Sequence, residues 1–410
     1  MLENEVSLID GPKSGWSRRE TLAGMIALGA SACAGDGTAN PPPTAGPVPS
    51  PTGGTSAIPV PSLDTLARRS GRKFGSSVGS IARTTDAASV QNPQYTRILS
   101  GEGSVVVAEN EMKWQALRPD PASYDFERFD AIVAWAQANN QAVRGHTLLW
   151  HRPRWFPEWL NNYDYGANPV QEAERLLTEH IRTVTARYRG VIHSYDVVNE
   201  AIDHDTNGTI ETSMSRAMGS PEAVLDLAFH TAREAVPGVQ LVYNDYMSWE
   251  PAHRAHCRDV LRLLEGFRAR NVPVDALGIQ SHIEMFAIDP ATGVGPYAER
   301  EWRAFLDEVV AMGYDLVITE FDVKDKALPA DIATRDAAVA DYTRRYFDVM
   351  LEYPQLGDIM AWGMVDKFSW LQGFAPRDDG QEVRCCPYDS AYRAKPLRTA
   401  LAESFAQAAA

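Results

Sequence analysis

Cysteine is scarce in this chain, four among 410 residues, which is too few for a fold stapled by disulfides. Long apolar runs are also missing; none reaches the roughly 20 residues that a membrane-spanning helix requires. Basic residues are short against acidic ones, 39 to 54, and the net charge is −15. A field of that sign repels phosphate backbones and anionic lipid, so nucleic-acid binding is not expected. No Gly-x-Gly-x-x-Gly turn follows an early strand pattern, which argues against a dinucleotide-binding sheet. What is present is 44% hydrophobic and 23% charged residues, the balance of a soluble globular protein. The length suits one large barrel with appendages.

The first sixty residues read as processing and tether rather than fold. Arg18 and Arg19 precede a short apolar stretch, Leu22 to Ala32, and small residues lead up to Cys33. A basic region, a short apolar region and a small-residue exit make an export signal over 1–33, of the twin-arginine type. Cys33 is open to two readings: an ordinary residue of the apolar region, or the acceptor of a lipid anchor after cleavage. Residues 34–61 are Pro, Gly, Thr, Ser and Ala with almost no large apolar side chain, the composition of a flexible linker. An exported protein follows, periplasmic, extracellular or envelope-attached, with its folded domain over 62–410. The remaining cysteines are Cys257, Cys385 and Cys386; a bridge from Cys257 to either of the others would leave one thiol over. His253, His256 and Cys257 resemble a metal cluster, but the neighbouring Arg254, Arg258 and Arg262 make the two histidines read as a solvated helix face. No metal or cofactor is expected.

Beyond Pro61 short apolar runs recur near 73–78, 104–110, 142–151, 193–200, 240–246, 276–283, 315–322 and 359–366. Amphipathic stretches separate them. In one, Val339, Tyr342, Tyr346, Val349 and Met350 are spaced by three or four, the period of a helix with one buried face. Strand–helix alternation implies a parallel sheet, and eight repeats imply an α/β fold closed into a (β/α)8 TIM barrel. An open doubly wound sheet is the alternative. Almost every run ends in polar or aromatic residues, and in a parallel barrel all those carboxyl ends emerge on one face.

Glu200 and Glu320 end the fourth and seventh runs, across the barrel mouth from one another. Two carboxylates facing a glycosidic bond are the minimum apparatus for its hydrolysis, retaining at about 5–5.5 Å separation and inverting at about 6.5–9.5 Å. Asn199 is placed to donate to a sugar hydroxyl. His282 is placed to hydrogen-bond Glu320 and to be oriented by Asp322. Glu109, Asn110, Lys113, His146 and Gln280 supply polar contacts for a ring of hydroxyls. Trp150, Trp362 and Trp370 offer flat apolar faces to pyranose rings.

The stretches Glu109-Asn110-Glu111-Met112-Lys113-Trp114, Gly145-His146-Thr147-Leu148-Leu149-Trp150-His151, Asp196-Val197-Val198-Asn199-Glu200, Gly278-Ile279-Gln280-Ser281-His282 and Ile318-Thr319-Glu320-Phe321-Asp322 resemble family 10 glycoside hydrolases, the barrel endo-β-1,4-xylanases. The likeness runs in order from about Lys73 to Ala402. It implies retaining hydrolysis of the xylan backbone, with Glu200 as acid/base and Glu320 as nucleophile. It also implies that Glu109, Asn110, Lys113, His146, Trp150, Asn199, Gln280, His282, Trp362 and Trp370 line the sites around the cleaved bond. Tyr246 looks like the stacking residue on the leaving-group side. Xylan and xylo-oligosaccharides are then the expected partners of a monomer without a protein partner, attached to a membrane only through lipid on Cys33. Met247 and Leu371 depart from the family's usual residues and are expected around the cleft, where they bear on subsite preference. Arg384-Cys385-Cys386-Pro387-Tyr388-Asp389 replaces a commonly apolar run. Cellulose or mannan as substrate, or a silent sugar-binding protein on the same scaffold, are the competing readings.

Overall fold

The computed structural model describes residues 60–80, 86–203, 208–285 and 297–408, all within the unit Pro59–Ala410. The export signal, Cys33 and nearly all of the linker expected over 34–61 lie outside the described residues. Nine strand segments fill eight barrel positions: β1 (Phe74–Val78), β2 (Val105–Ala108), β3 (Ala142–Trp150), β4 (Ile192–Asn199), β5 (Gln240–Asp245), β6 (Ala276–Ile279), β7 (His282–Glu284), β8 (Asp315–Lys324) and β9 (Leu356–Ala361). Each pairs in parallel with its neighbours. The contact of β1 with β9 and of β6 with β8 closes the ring. This is the (β/α)8 barrel expected from the eight apolar runs, and the open sheet is excluded.

Period-two alternation along the strands separates two cores. Val106 and Ala108 join the large cluster that includes Leu99, Phe129 and Ile132 of the surrounding helices. Val105 and Val107 instead pack with Met360 and Trp362, and so fill the barrel interior. Between strands the helices bury one stripe. On Ile332–Met350, the residues Val339, Tyr342, Tyr346, Val349 and Met350 are all buried, each stabilising the fold by about 1.5–3 kcal/mol. Local chemistry starts the helices where they start. Asn92 accepts from the amides of Gln94 and Tyr95 ahead of Pro93–Glu102, and Ser220 caps Pro221–Ala235 with proline in its first turn.

Two strands differ from expectation. The sixth position is broken between Ile279 and His282, where Ser281 takes a left-handed backbone (φ 61°) and its hydroxyl meets that of Tyr346 at 2.8 Å. The break turns Gln280 and His282 toward different carboxylates. The last strand covers 356–361 rather than 359–366. It ends because Gly363 adopts φ 108°, which a residue with a Cβ rarely does, and the chain leaves the sheet there.

Candidate active site

The carboxyl ends of the strands surround a cleft of about 900 Å³. Of the residues expected in it, Glu109, Asn110, Lys113, His146, Trp150, Glu200, Tyr246, Gln280, His282, Glu320, Trp362 and Trp370 line the cleft. Asn199 and Asp322 lie just behind that surface, fully or almost fully buried.

Glu200 follows the last residue of β4 with a left-handed backbone, φ 50°, a conformation that costs a non-glycine residue on the order of 1–2 kcal/mol. Its amide is held by the Asn244 carbonyl at 2.9 Å. One carboxylate oxygen accepts from Gln280 Nε2 at 2.9 Å and the other from Trp150 Nε1 at 3.1 Å. Burial pushes this carboxyl up and the Gln280 hydrogen bond pulls it down. The charge of Asp245 raises it and that of Arg152 lowers it, and the balance stands above the usual carboxylate range.

Glu320 lies in a different setting. Its two oxygens accept from Asn244 Nδ2 at 2.8 Å and meet His282 Nε2 at 3.2 Å. The other nitrogen of His282 faces Asp322 Oδ1 at 2.9 Å, and Trp370 Nε1 donates to Asp322 Oδ2 at 2.7 Å. Burial would raise Glu320, but the hydrogen bond to His282 and the nearby His146 outweigh it, leaving the carboxyl below its usual range. For His282, burial favours the neutral ring. Asp322 and Glu320 overcome that and lift its pKa to about 9.

Behind these groups runs a polar ladder inside the barrel. Arg144 donates to Asp196 at 2.7 Å, and Asp196 faces His146 Nδ1 at 3.0 Å; His146 Nδ1 in turn lies 4.0 Å from Glu320. Asn244, near the carboxyl end of β5, is the hub. It joins Asn199 (2.9 Å), Glu320 and Thr319 (2.6 Å). A Cβ on Gly278 would fall 2.5 Å from its Oδ1, so this strand glycine makes room for the hub. Lys113 donates to Asn110 at 2.9 Å and sits over the Trp150 ring. Trp155 stacks on Trp150 at 4.5 Å, and Phe374, 63% exposed, packs on Trp370 at the rim. Neither Trp155 nor Phe374 was picked out in the sequence.

The model of glycosyl hydrolase family 10 matches residues 62–404. The chain belongs to glycosyl hydrolase family 10. It is 30% identical over 310 residues to endo-1,4-beta-xylanase B of Thermotoga neapolitana, covering 76% of this chain and 83% of the relative. It is equally similar over 351 residues to endo-1,4-beta-xylanase C of Paenibacillus barcinonensis, covering 81% of this chain but spanning only 31% of that longer protein. Among solved structures, xylanase 10B of Thermotoga petrophila RKU-1 in complex with xylobiose superposes with a TM-score of 0.72 at 27% identity, covering 87% of this chain and all of that one. This family 10 chain is therefore a glycoside hydrolase.

Three expectations need correction within this glycoside hydrolase. His256 is not on a solvated face. It is 2% exposed, meets Asp245 Oδ1 at 2.9 Å and stacks under Tyr246 at 4.2 Å, because the arginines occupy the opposite side of its helix. Met247 and Leu371 do not lie around the cleft. Met247 belongs to the main core, and Leu371 packs with Val383, Cys385 and Cys386. Cys257, Cys385 and Cys386 are free and buried. Among the described residues Asp366, Cys385 and Cys386 bring metal-type ligand atoms within 4.8 Å of one another. Lys395 Nζ already stands 2.9 Å from Asp366 and compensates that carboxylate.

Proposed function

We propose that this enzyme is a retaining endo-β-1,4-xylanase, with Glu320 as nucleophile and Glu200 as general acid/base. The observation that carries the reading is the opposite treatment of two carboxyls on one cleft. Glu320 meets a histidine that Asp322 backs, a setting that favours the ionised form. Glu200 is buried beside the like charges of Asp245 and Glu320, and these outweigh the donors Gln280 and Trp150 and the nearby Arg152, a balance that favours the protonated form. A nucleophile needs the first and an acid needs the second.

In the first step the Glu320 carboxylate attacks the anomeric carbon while Glu200 gives its proton to the departing glycosidic oxygen. A covalent glycosyl ester results. In the second step water attacks the same carbon, its proton passes to Glu200, and the ester bond to Glu320 breaks. Asn199 Nδ2 is buried without a hydrogen-bond partner among the described residues, so it is a donor available to a sugar hydroxyl. His146, Lys113, Asn110 and Glu109 serve the sugar on the glycone side, and Tyr246 the leaving group. Xylose-based substrates follow from the relatives' names and from the xylobiose complex, together with side chains such as Lys113 and His146 that would crowd a hexose C6 group.

The test is product analysis on glucuronoarabinoxylan, xylo-oligosaccharides, carboxymethylcellulose and mannan, with the anomer followed by NMR. Short xylo-oligosaccharides released first as the β-anomer are expected. Products from glucan or mannan alone would overturn the substrate, and an initial α-anomer would overturn the mechanism.

A further inference from the structure

Arg152, on the loop after β3, is a cation that neither the apolar pattern nor the motif set singled out. Its Nε lies 3.3 Å from Glu200 Oε2. It is anchored away from the carboxylate: Nη2 donates to the Ile202 carbonyl at 2.9 Å and to the Tyr246 hydroxyl at 3.1 Å. The guanidinium also lies over the Tyr246 ring, 5.5 Å from its centroid. Tyr246 is braced from beneath by His256, and His256 by Asp245. A continuous chain of contacts thus runs from Asp245 through His256, Tyr246 and Arg152 to Glu200. Only 26% of the arginine side chain is exposed, so water screens the pair weakly. Nε is buried and lacks a hydrogen-bond partner of proper geometry among the described residues, so it faces the carboxylate as a charge rather than a bonded donor.

The charged and titratable groups facing Glu200 explain why one arginine matters. Asp245 and Tyr246 come from the end of β5, Glu320 from β8, His282 from β7, Lys113 from the loop after β2, and Asp203 from the cleft wall after β4. Lys113 divides its charge among Glu320, Glu109, Glu200 and Glu111, and His282 is committed to Glu320 and Asp322. Arg152 is the cation placed on Glu200 itself.

We propose that Arg152 is a positioning residue that lets Glu200 alternate between acid and base, and that it couples this to Tyr246 on the leaving-group side. Burial and the charge of Asp245 oppose the ionised Glu200 that the second step uses as its base. The fixed guanidinium stabilises the ionised carboxylate left after the first proton transfer, and the shared Tyr246 hydroxyl ties its position to the wall that meets the leaving group. The inference rests on Glu200 being the acid/base.

The experiment compares the wild type with Arg152→Met, Arg152→Gln and Glu200→Ala, measuring kcat and kcat/KM against pH on an aryl β-xylobioside, with and without azide. In both Arg152 variants the basic limb of kcat/KM should move up by about one pH unit, the effect of removing an opposite charge at this range. At neutral pH kcat on a substrate with an activated leaving group should fall about 10-fold while KM changes less. Azide, which needs no base, should recover the lost kcat. Arg152→Gln serves if the Met variant does not fold, because it keeps a donor for the Ile202 carbonyl without the charge. A basic limb that stays in place or moves down in a folded variant overturns the role of Arg152. Azide that fails to rescue Glu200→Ala would instead overturn the assignment of Glu200, so the two failures are distinguishable.

Discussion

Glu200, just past the end of β4, and Glu320, within β8, carry the same functional group, and both are largely buried, with side chains 14% and 7% exposed. Burial alone would raise both. The divergence comes from what each oxygen touches. Glu320 is given two histidines, one of them backed by Asp322, and an amide from Asn244. Glu200 is given an amide, an indole and one arginine, with Asp245 and Glu320 as opposing like charges. Neighbouring charge therefore decides what burial cannot, and the pair is driven apart in the direction that acid and nucleophile roles demand.

The largest blow to this pairing should be Glu320→Ala, which removes the proposed nucleophile and should lower kcat on every xylan-type substrate by about 10⁴-fold or more; steady-state rates on xylan would check it, and near-normal turnover would break the comparison. Glu200→Ala should be strongly selective. It should cost about 10³-fold on xylan, whose leaving group needs a proton, and much less on an activated aryl glycoside. Equal losses on both substrates would remove the acid role.

Asp322→Asn sharpens the Glu320 side through pH. A histidine whose folded pKa is raised contributes stability that is complete below its unfolded value near 6.5 and is lost as pH rises through the folded value of about 9. Wild-type Tm should therefore fall over that window. Asp322→Asn should start lower at pH 6, by a few kcal/mol at most, and lose less between pH 6.5 and 9. Parallel curves in thermal melts would contradict the pairing. Glu320, with its carboxyl lowered, works in the opposite sense: its contribution holds above the unfolded carboxylate range and is lost as pH falls through its folded value. The smallest effect should come from Asn244→Ala, which removes hydrogen bonds to Asn199 and Glu320 worth about 0.5–3 kcal/mol together; it should reduce kcat about 10-fold with little change in KM.

The barrel was legible because parallel strands covered on both faces read as short apolar runs, and their polar ends marked the catalytic face. Glu200, Glu320, His282 and Asp322 could be placed together because strand position fixes which face a residue joins. The break at Ser281 was hidden, since serine carries no signal for a left-handed backbone. The hub role of Asn244 had one sign in the sequence, the glycine at 278 in the neighbouring strand. His256 was misread although His256, Val260 and Leu264 repeat every four residues, which puts the histidine with the core and the arginines on the other side. Arg152 was passed over because its partner Glu200 is 48 residues away in the chain and only closure of the barrel brings them together.

The most direct test is to trap the glycosyl–enzyme with a 2-deoxy-2-fluoro-β-xylobioside bearing an activated leaving group, then digest the protein and locate the added sugar by mass spectrometry. The account predicts one xylobiosyl adduct, on the peptide containing Glu320 and on that side chain. An adduct on Glu200, or inactivation-free turnover with inversion at the anomeric carbon, would contradict it.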